Sequence, residues 1–307
     1  MSLDKQRRRP AHSSTGERNA AKHAHGLDQS YGDQSRSSRG NWPHGVYAVT
    51  LSPIERIRLD KAAVDEGFGL KRPDDGQWLA YDSLGAPASI RLTCVEPNYV
   101  VAVNHAGVAS DLNERWQERA DGDELQVPLG FTAFVVADTA PLHHLVREIW
   151  RLARSLPIEP LRVFETQTRN LPRSTEAERL IVQRVGQNVF REALLSYWGG
   201  RCAVTGVAEP RLLRASHIKP WAKCETDAER LNVYNGLLLA AHVDAAFDAG
   251  LISFSNEGAI VFSSKFLEAD RAALGIHDGL ALHRVSEKHL PNLAWHRSFL
   301  LGANGGG

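Results

Sequence analysis

The sequence predicts an α+β fold in two globular parts. Three short runs rich in β-branched and aromatic residues, SIRLTCV (89–95), YVVAV (99–103) and FTAFVVA (131–137), read as strands. Segments with helical spacing of apolar residues then occupy 141–156 and 175–198. The polar stretch TQTRNLPRS (166–174) between them reads as a linker. At 307 residues, the chain is long enough for two domains, and 43% hydrophobic with 23% charged residues is an ordinary globular composition.

Taken in order, residues 1–42 are polar, rich in Ser, Gly and Arg, and read as a disordered tail. Its Arg7-Arg8-Arg9 run could brush phosphates, but a solvated tail is the preferred reading. A helix is expected from Ser52-Pro53, with Ser at the N-cap and Pro in the first turn, carrying Ile54, Ile57 and Leu59 toward a core. Glu96-Pro97-Asn98 supplies a turn between the first two strands. Leu142, Leu145, Val146, Ile149 and Leu152 form the apolar face of the following helix. This makes a small α+β domain over 43–165 in which no chemistry announces itself. Thr175 and Glu178 have capping-box spacing, and Val182, Val185, Val189, Phe190 and Leu194 supply a stripe to bury. Gly199-Gly200 ends that helix. Asn256-Glu257-Gly258 reads as a turn between the strands LISF and AIVF. A short helix near 265–274 and a polar tail close the chain.

Composition limits the function classes. Cys94, Cys202 and Cys224 stand without a C-x-x-C pair, which argues against a disulfide framework and a four-cysteine zinc site. No apolar run approaches the ~20 residues of a membrane span, and no signal core is seen, so a cytoplasmic location with reduced thiols is expected. The formal net charge of +0 argues against a chain that coats nucleic acid indiscriminately, while leaving room for local basic patches.

The chemistry-bearing stretch is CAVTG (202–206) followed by LLRASHIKPWAKCETDAERLNVYNGLLLAAHVDAAFDAGLIS (212–253). His217 ends a short apolar run, Asn235 follows a polar loop, and His242, Asp244 and Asp248 open a helix-like segment. The linked words SHIKPW, NGLLL and HVDAAFDAGLI resemble the HNH endonucleases over about 175–262, and RVGQNVFREALLSYWGGRCAVTG resembles the helix leading into that core in one branch of the family. The resemblance implies a ββα-metal nuclease domain over 175–307.

It further implies that His217 is a general base and that Asn235 is a companion that braces the loop. It gives His242 a place in the catalytic set and, with Asp244, in holding a divalent metal. Mg²⁺ is favoured, with Mn²⁺, Ni²⁺ or Zn²⁺ as alternatives. Ser216 stands where the family often carries a metal-binding Asp or His. An imidazole with a pKa near 6.5 suits deprotonation of water at neutral pH. A core histidine satisfied by a carbonyl is the bland alternative. Asn235-Gly236 could be plain turn chemistry, Asp244 a helix cap, and Asp248 a brace for the following turn. Lys219, Lys223, Arg214 and Arg230 would form a phosphate-binding rim. Arg184, Gln187 and Arg191 share one helix face that either braces the core or meets DNA.

The expected function is metal-dependent hydrolysis of DNA phosphodiesters, in a modification-dependent restriction enzyme whose first domain selects the substrate. The partner would be double-stranded DNA, with no membrane and a possible homodimer. The alternative is a catalytically silent HNH-shaped DNA-binding protein.

Overall fold

The computed structural model describes residues 51–116 and 125–302, with side chains through 298; the tail expected over 1–42 lies outside the described residues. The fold is α+β. Helix α1 (Pro53–Asp65) starts as the sequence predicts, with Ser52 and Glu55 closing a reciprocal capping box. Its buried face is Glu55, Leu59, Ala62 and Ala63. Ile54 and Ile57 lie off that face and are 58% and 64% exposed, contrary to the expectation that they enter the core.

Five antiparallel strands follow in chain order: β1 (Leu70–Asp75), β2 (Trp78–Asp82), β3 (Ser89–Val95), β4 (Asn98–Val103) and β5 (Thr132–Val136). Val95 pairs with Asn98 and Ile90 with Val103, so Glu96-Pro97 is the turn. Strands β1 and β2 escaped the sequence reading for opposite reasons. LKRPDD is polar, carries a proline and lies at the sheet edge. WLAYD is too short and too buried to show alternation. Alternate residues Ile90, Leu92, Cys94, Tyr99, Val101, Val103, Phe134 and Val136 join the main hydrophobic core, on which α1 and α3 (Thr139–Ser155) pack. Between β4 and β5 stands α2 (Ala106–Asn113), whose N-cap His105 accepts a hydrogen bond from the Val108 amide.

Helix α4 (Ile158–Thr168) occupies the start of the expected linker; Thr168 is buried and its hydroxyl donates to the Phe164 carbonyl. Helix α5 (Glu176–Tyr197) has the expected Thr175–Glu178 box, and Gly199 and Gly200 follow it at φ 68° and 65°. One continuous core runs from α1 and the sheet through α3 and α5 into the C-terminal elements. At that junction Asp111, 2% exposed, accepts hydrogen bonds from Arg115 (2.9 Å), Tyr234 (3.0 Å) and Tyr197 (3.4 Å). Neighbouring Glu148 binds Arg115 at 2.7 Å and Arg151 at 2.6 Å. Burial alone would raise the Glu148 pKa, but Arg151, Arg115 and Arg284 together hold it below the usual range.

The remaining elements are β6 (Leu213–His217), the one-turn α6 (Asp227–Arg230), β7 (Gly236–Ala240), α7 (Ala241–Asp248), β8 (Ile252–Phe254), β9 (Ile260–Phe262), α8 (Glu268–Ala273) and α9 (Leu290–Gly302). The expected polar tail is instead the helix α9. His296 on it stacks on Phe247 at 3.8 Å and bonds the Ser253 hydroxyl at 2.9 Å, docking the helix on α7 and β8. No helix among the described residues is long and apolar enough to cross a membrane.

Candidate active site

Antiparallel β6 and β7 form a hairpin in which His217 pairs with Gly236 and Leu213 with Ala240, and α7 follows β7 directly. The backbone therefore has ββα order, with a long loop carrying α6 between the strands. Buried Asn235 organises that loop. Its Oδ1 accepts from the Lys219 amide at 2.8 Å, and its Nδ2 donates to the Lys219 carbonyl at 3.1 Å and to Cys224 Sγ at 3.4 Å. Gly236 sits at φ −149°, so Asn235-Gly236 is not a tight-turn pair. The glycine serves close packing: a Cβ there would lie 2.5 Å from Phe190 and 2.9 Å from Leu194.

His217 ends β6 against α5. Phe190 stacks on the imidazole at 3.8 Å and 15°, and Trp221 meets it edge-on at 5.6 Å. Nε2 lies 2.8 Å from the Arg230 carbonyl. A carbonyl can only accept, so Nε2 carries the hydrogen and Nδ1 keeps the basic lone pair. Burial lowers the His217 pKa, with the Arg230 bond opposing, so the ring is neutral at pH 7.

Ser216 and His217 are consecutive, and they engage different helices. Buried Ser216 donates to Asp248 on α7 at 3.2 Å. The two carboxylates are four residues apart on one face of α7. Desolvation raises the Asp244 pKa, against the opposing pull of Ser216 and Arg214. Desolvation and the Asp244 charge raise that of Asp248. Two under-neutralised carboxylates and a hydroxyl are an all-oxygen donor set, which fits a hard divalent cation that retains part of its water shell. It fits zinc less well, since zinc favours Cys and His ligands. His242 is exposed and, two residues from Asp244, lies on another face of α7. Among the described residues no three His, Cys, Asp or Glu side chains gather as a metal-binding group, so the structure does not bring His242 to the carboxylates. Asp248 was read from the sequence as a brace; its i+4 spacing from Asp244 was the signal that could have placed it here.

The expected basic rim divides. Lys219 is paired with Glu229. Arg230 spends its donors on Asp227 at 3.0 Å and on the carbonyls of Cys224 at 2.6 Å and Trp221 at 3.4 Å, which makes it a brace of the loop. Lys223 and Arg214 are exposed, and Arg214 commits only Nη1, to the Arg211 carbonyl at 2.9 Å and the Leu213 carbonyl at 3.1 Å. Arg191 bonds the Leu213 carbonyl at 3.0 Å and the Pro210 carbonyl at 3.1 Å, so on that face of α5 it is bracing.

Residues 202–255 match the HNH endonuclease family. No curated protein matches the chain. The HNH match begins at Cys202 and ends one residue past β8, and so takes in His217, Asn235, Ser216 and both carboxylates. It supports a nuclease or DNA-binding function for this segment. The flanking α5, whose Phe190 holds the His217 ring, lies upstream of the HNH match.

Proposed function

We propose that the chain is a divalent-metal-dependent endonuclease acting on double-stranded DNA. The observation that carries this reading is the imidazole of His217, clamped between Phe190 and Trp221. Its Nε2–H is committed to the Arg230 carbonyl and its pKa is held down by burial. That state leaves Nδ1 able to take a proton from water as the water attacks phosphorus. The phosphorus–O3′ bond breaks, giving a 5′-phosphate and a 3′-hydroxyl once solvent protonates the leaving oxygen, and the imidazolium returns its proton to solvent. Asn235 holds the loop whose Arg230 carbonyl fixes the ring. Asp244 and Asp248, with Ser216 between them, would hold the cation, which supplies charge stabilisation at the scissile phosphate and leaving oxygen. Arg214 and Lys223 remain for backbone phosphates.

Residues 43–165 are proposed to select the substrate, restraining a core too small to read much sequence, as in a modification-dependent restriction enzyme. The test is incubation with unmodified, base-modified and phosphorothioated plasmids in Mg²⁺ or Mn²⁺, beside His217→Ala. The parent nicks or linearises one class, while the variant binds it and loses about 10²–10⁴-fold in rate. Equal cleavage by parent and variant would remove His217 from the mechanism. DNA binding without cleavage in either metal would favour the silent DNA-binding alternative.

A further inference from the structure

A small cavity, of about 150 Å³, lies at the junction between α3, the end of α5 and the segments that follow α5 and α8. Its walls are Arg151, Tyr197, Trp198, Arg201, Cys202, His283 and Arg284. Three guanidinium groups and an imidazole therefore share one small space. Among the described residues, Glu148 is the one carboxylate within ion-pair distance of any of the three arginines, at 2.6 Å from Arg151 and 3.8 Å from Arg284. That carboxylate is also held by Arg115 at 2.7 Å. Arg201 makes a long 3.3 Å bond to the Gly206 carbonyl and is exposed, as is His283.

Arg284 lies over the Tyr197 ring at 3.6 Å and donates from Nη2 to the Tyr197 carbonyl, which fixes its plane. Its Nε is buried without a hydrogen-bond partner, a cost that a native site normally relieves. Burial, followed by the charges of Arg284, Arg115 and Arg147, keeps Arg151 below its ordinary pKa in spite of Glu148. Positive charge here is under-compensated, and the donors are planar forks suited to tetrahedral oxyanions.

The geometry points to a phosphate-binding site in this cavity, taking a terminal phosphate on Arg201 and His283, with Arg151 and Arg284 as charged walls that are themselves held, Arg151 by the Ser196 carbonyl at 2.9 Å and Glu148 at 2.6 Å and Arg284 by the Tyr197 carbonyl. The volume is about five times the ~30 Å³ share of one liquid water. That is room for a phosphate group. The two sources of that group are a free phosphate or mononucleotide and the 5′-phosphorylated end of a strand. The walls of the cavity touch the hairpin at both ends of β7. Trp198 Nε1 donates to the Gly236 carbonyl at 3.4 Å, and Cys202 Sγ accepts from the Ala240 amide at 3.2 Å. The site is separate from the Asp244–Asp248 pair and does not depend on the nuclease reading.

The test uses the full chain in EDTA at constant ionic strength, by calorimetry and thermal shift. Probes are inorganic phosphate, a deoxynucleoside monophosphate, and one oligonucleotide with either a 5′-phosphate or a 5′-hydroxyl. The expected result is saturable binding that weakens at least about tenfold in Arg201→Gln and in His283→Ala, the loss of a charge-assisted hydrogen bond. Both residues are exposed, so the ligand-free variants keep the parent melting temperature. About tenfold preference for the phosphorylated oligonucleotide over inorganic phosphate assigns the site to strand ends, and the absence of that preference assigns it to the soluble anion. A response no greater than that to chloride, or variants that bind like the parent, overturns the proposal.

Discussion

Gly236→Ala is the most informative single change near the candidate site. The added Cβ would lie 2.5 Å from Phe190 Cζ and 2.9 Å from both Leu194 methyls. Phe190 and Leu194 are 1% and 0% exposed, so neither ring nor methyl can withdraw into solvent. Overpacking of this kind costs about 1–3 kcal/mol, a substantial part of the ~5–15 kcal/mol that holds a typical domain folded. The displaced ring is the one stacked on His217 at 3.8 Å, so the strain reaches the imidazole. Urea titration of Gly236→Ala, Phe190→Leu and the double variant measures the coupling. Leucine in place of the ring makes room for the methyl, so the double variant is expected to recover at least ~1 kcal/mol of the loss. NMR titration of His217 in Gly236→Ala should show its pKa rising toward the ordinary value as the ring loses its cover. An unchanged urea midpoint in Gly236→Ala, or strictly additive effects in the double variant, would refute the reasoning.

Asn235→Ala leaves the Lys219 amide without its partner and its carbonyl with only the Cys224 thiol at 3.5 Å, and should cost about 1–3 kcal/mol by chemical denaturation and lower cleavage further than stability alone explains. Asp248→Asn keeps a partner for Ser216 and removes a charge beside Asp244. The metal-free protein should melt slightly higher, while the stabilisation that Mn²⁺ gives the parent shrinks; an unchanged Mn²⁺ response would place the cation elsewhere. Buried His289 and His296 are both pulled down to about 4, chiefly by burial. A histidine kept neutral in the folded state contributes stability that is full above pH ~6.5 and is lost as pH falls from there through 4. At about 1.4 kcal/mol per pH unit for each group, the two should remove several kcal/mol by pH 4. Denaturation curves from pH 7 to 4 check this, and a flat profile would contradict it.

Much of the site was legible because its signals are local. Thr175 and Glu178 cap α5, the run Gly236–Ala240 is apolar, and His217 ends a strand, all within short windows of sequence. What sequence could not show is which residues meet across the fold. His242 and Asp244 are near in sequence yet on different faces of α7, whereas Ser216 and Asp248 are 32 residues apart and share a hydrogen bond. Arg230 and Lys219 look like phosphate ligands by charge, but carbonyls and Glu229 already hold them. In the first part, SIRLTCV and its partners were readable from their β-branched and aromatic content and α1 from its Ser52-Pro53 start, while LKRPDD was hidden by its polarity and the buried face of α1 skips both isoleucines.

The carboxylate of Asp111 bears on how such a chain can be inherited. It comes from α2, yet it accepts from a tyrosine at the end of α5 and from Tyr234, the residue before Asn235. Grafting the C-terminal half onto a foreign partner would strand two buried hydroxyls, at about 1–3 kcal/mol each. The C-terminal half is therefore not a freely exchangeable cassette. Recombination that succeeds must carry α2 and α3 along with it, or supply another acid at the same depth, and sequence drift in the two halves is tied together at this point.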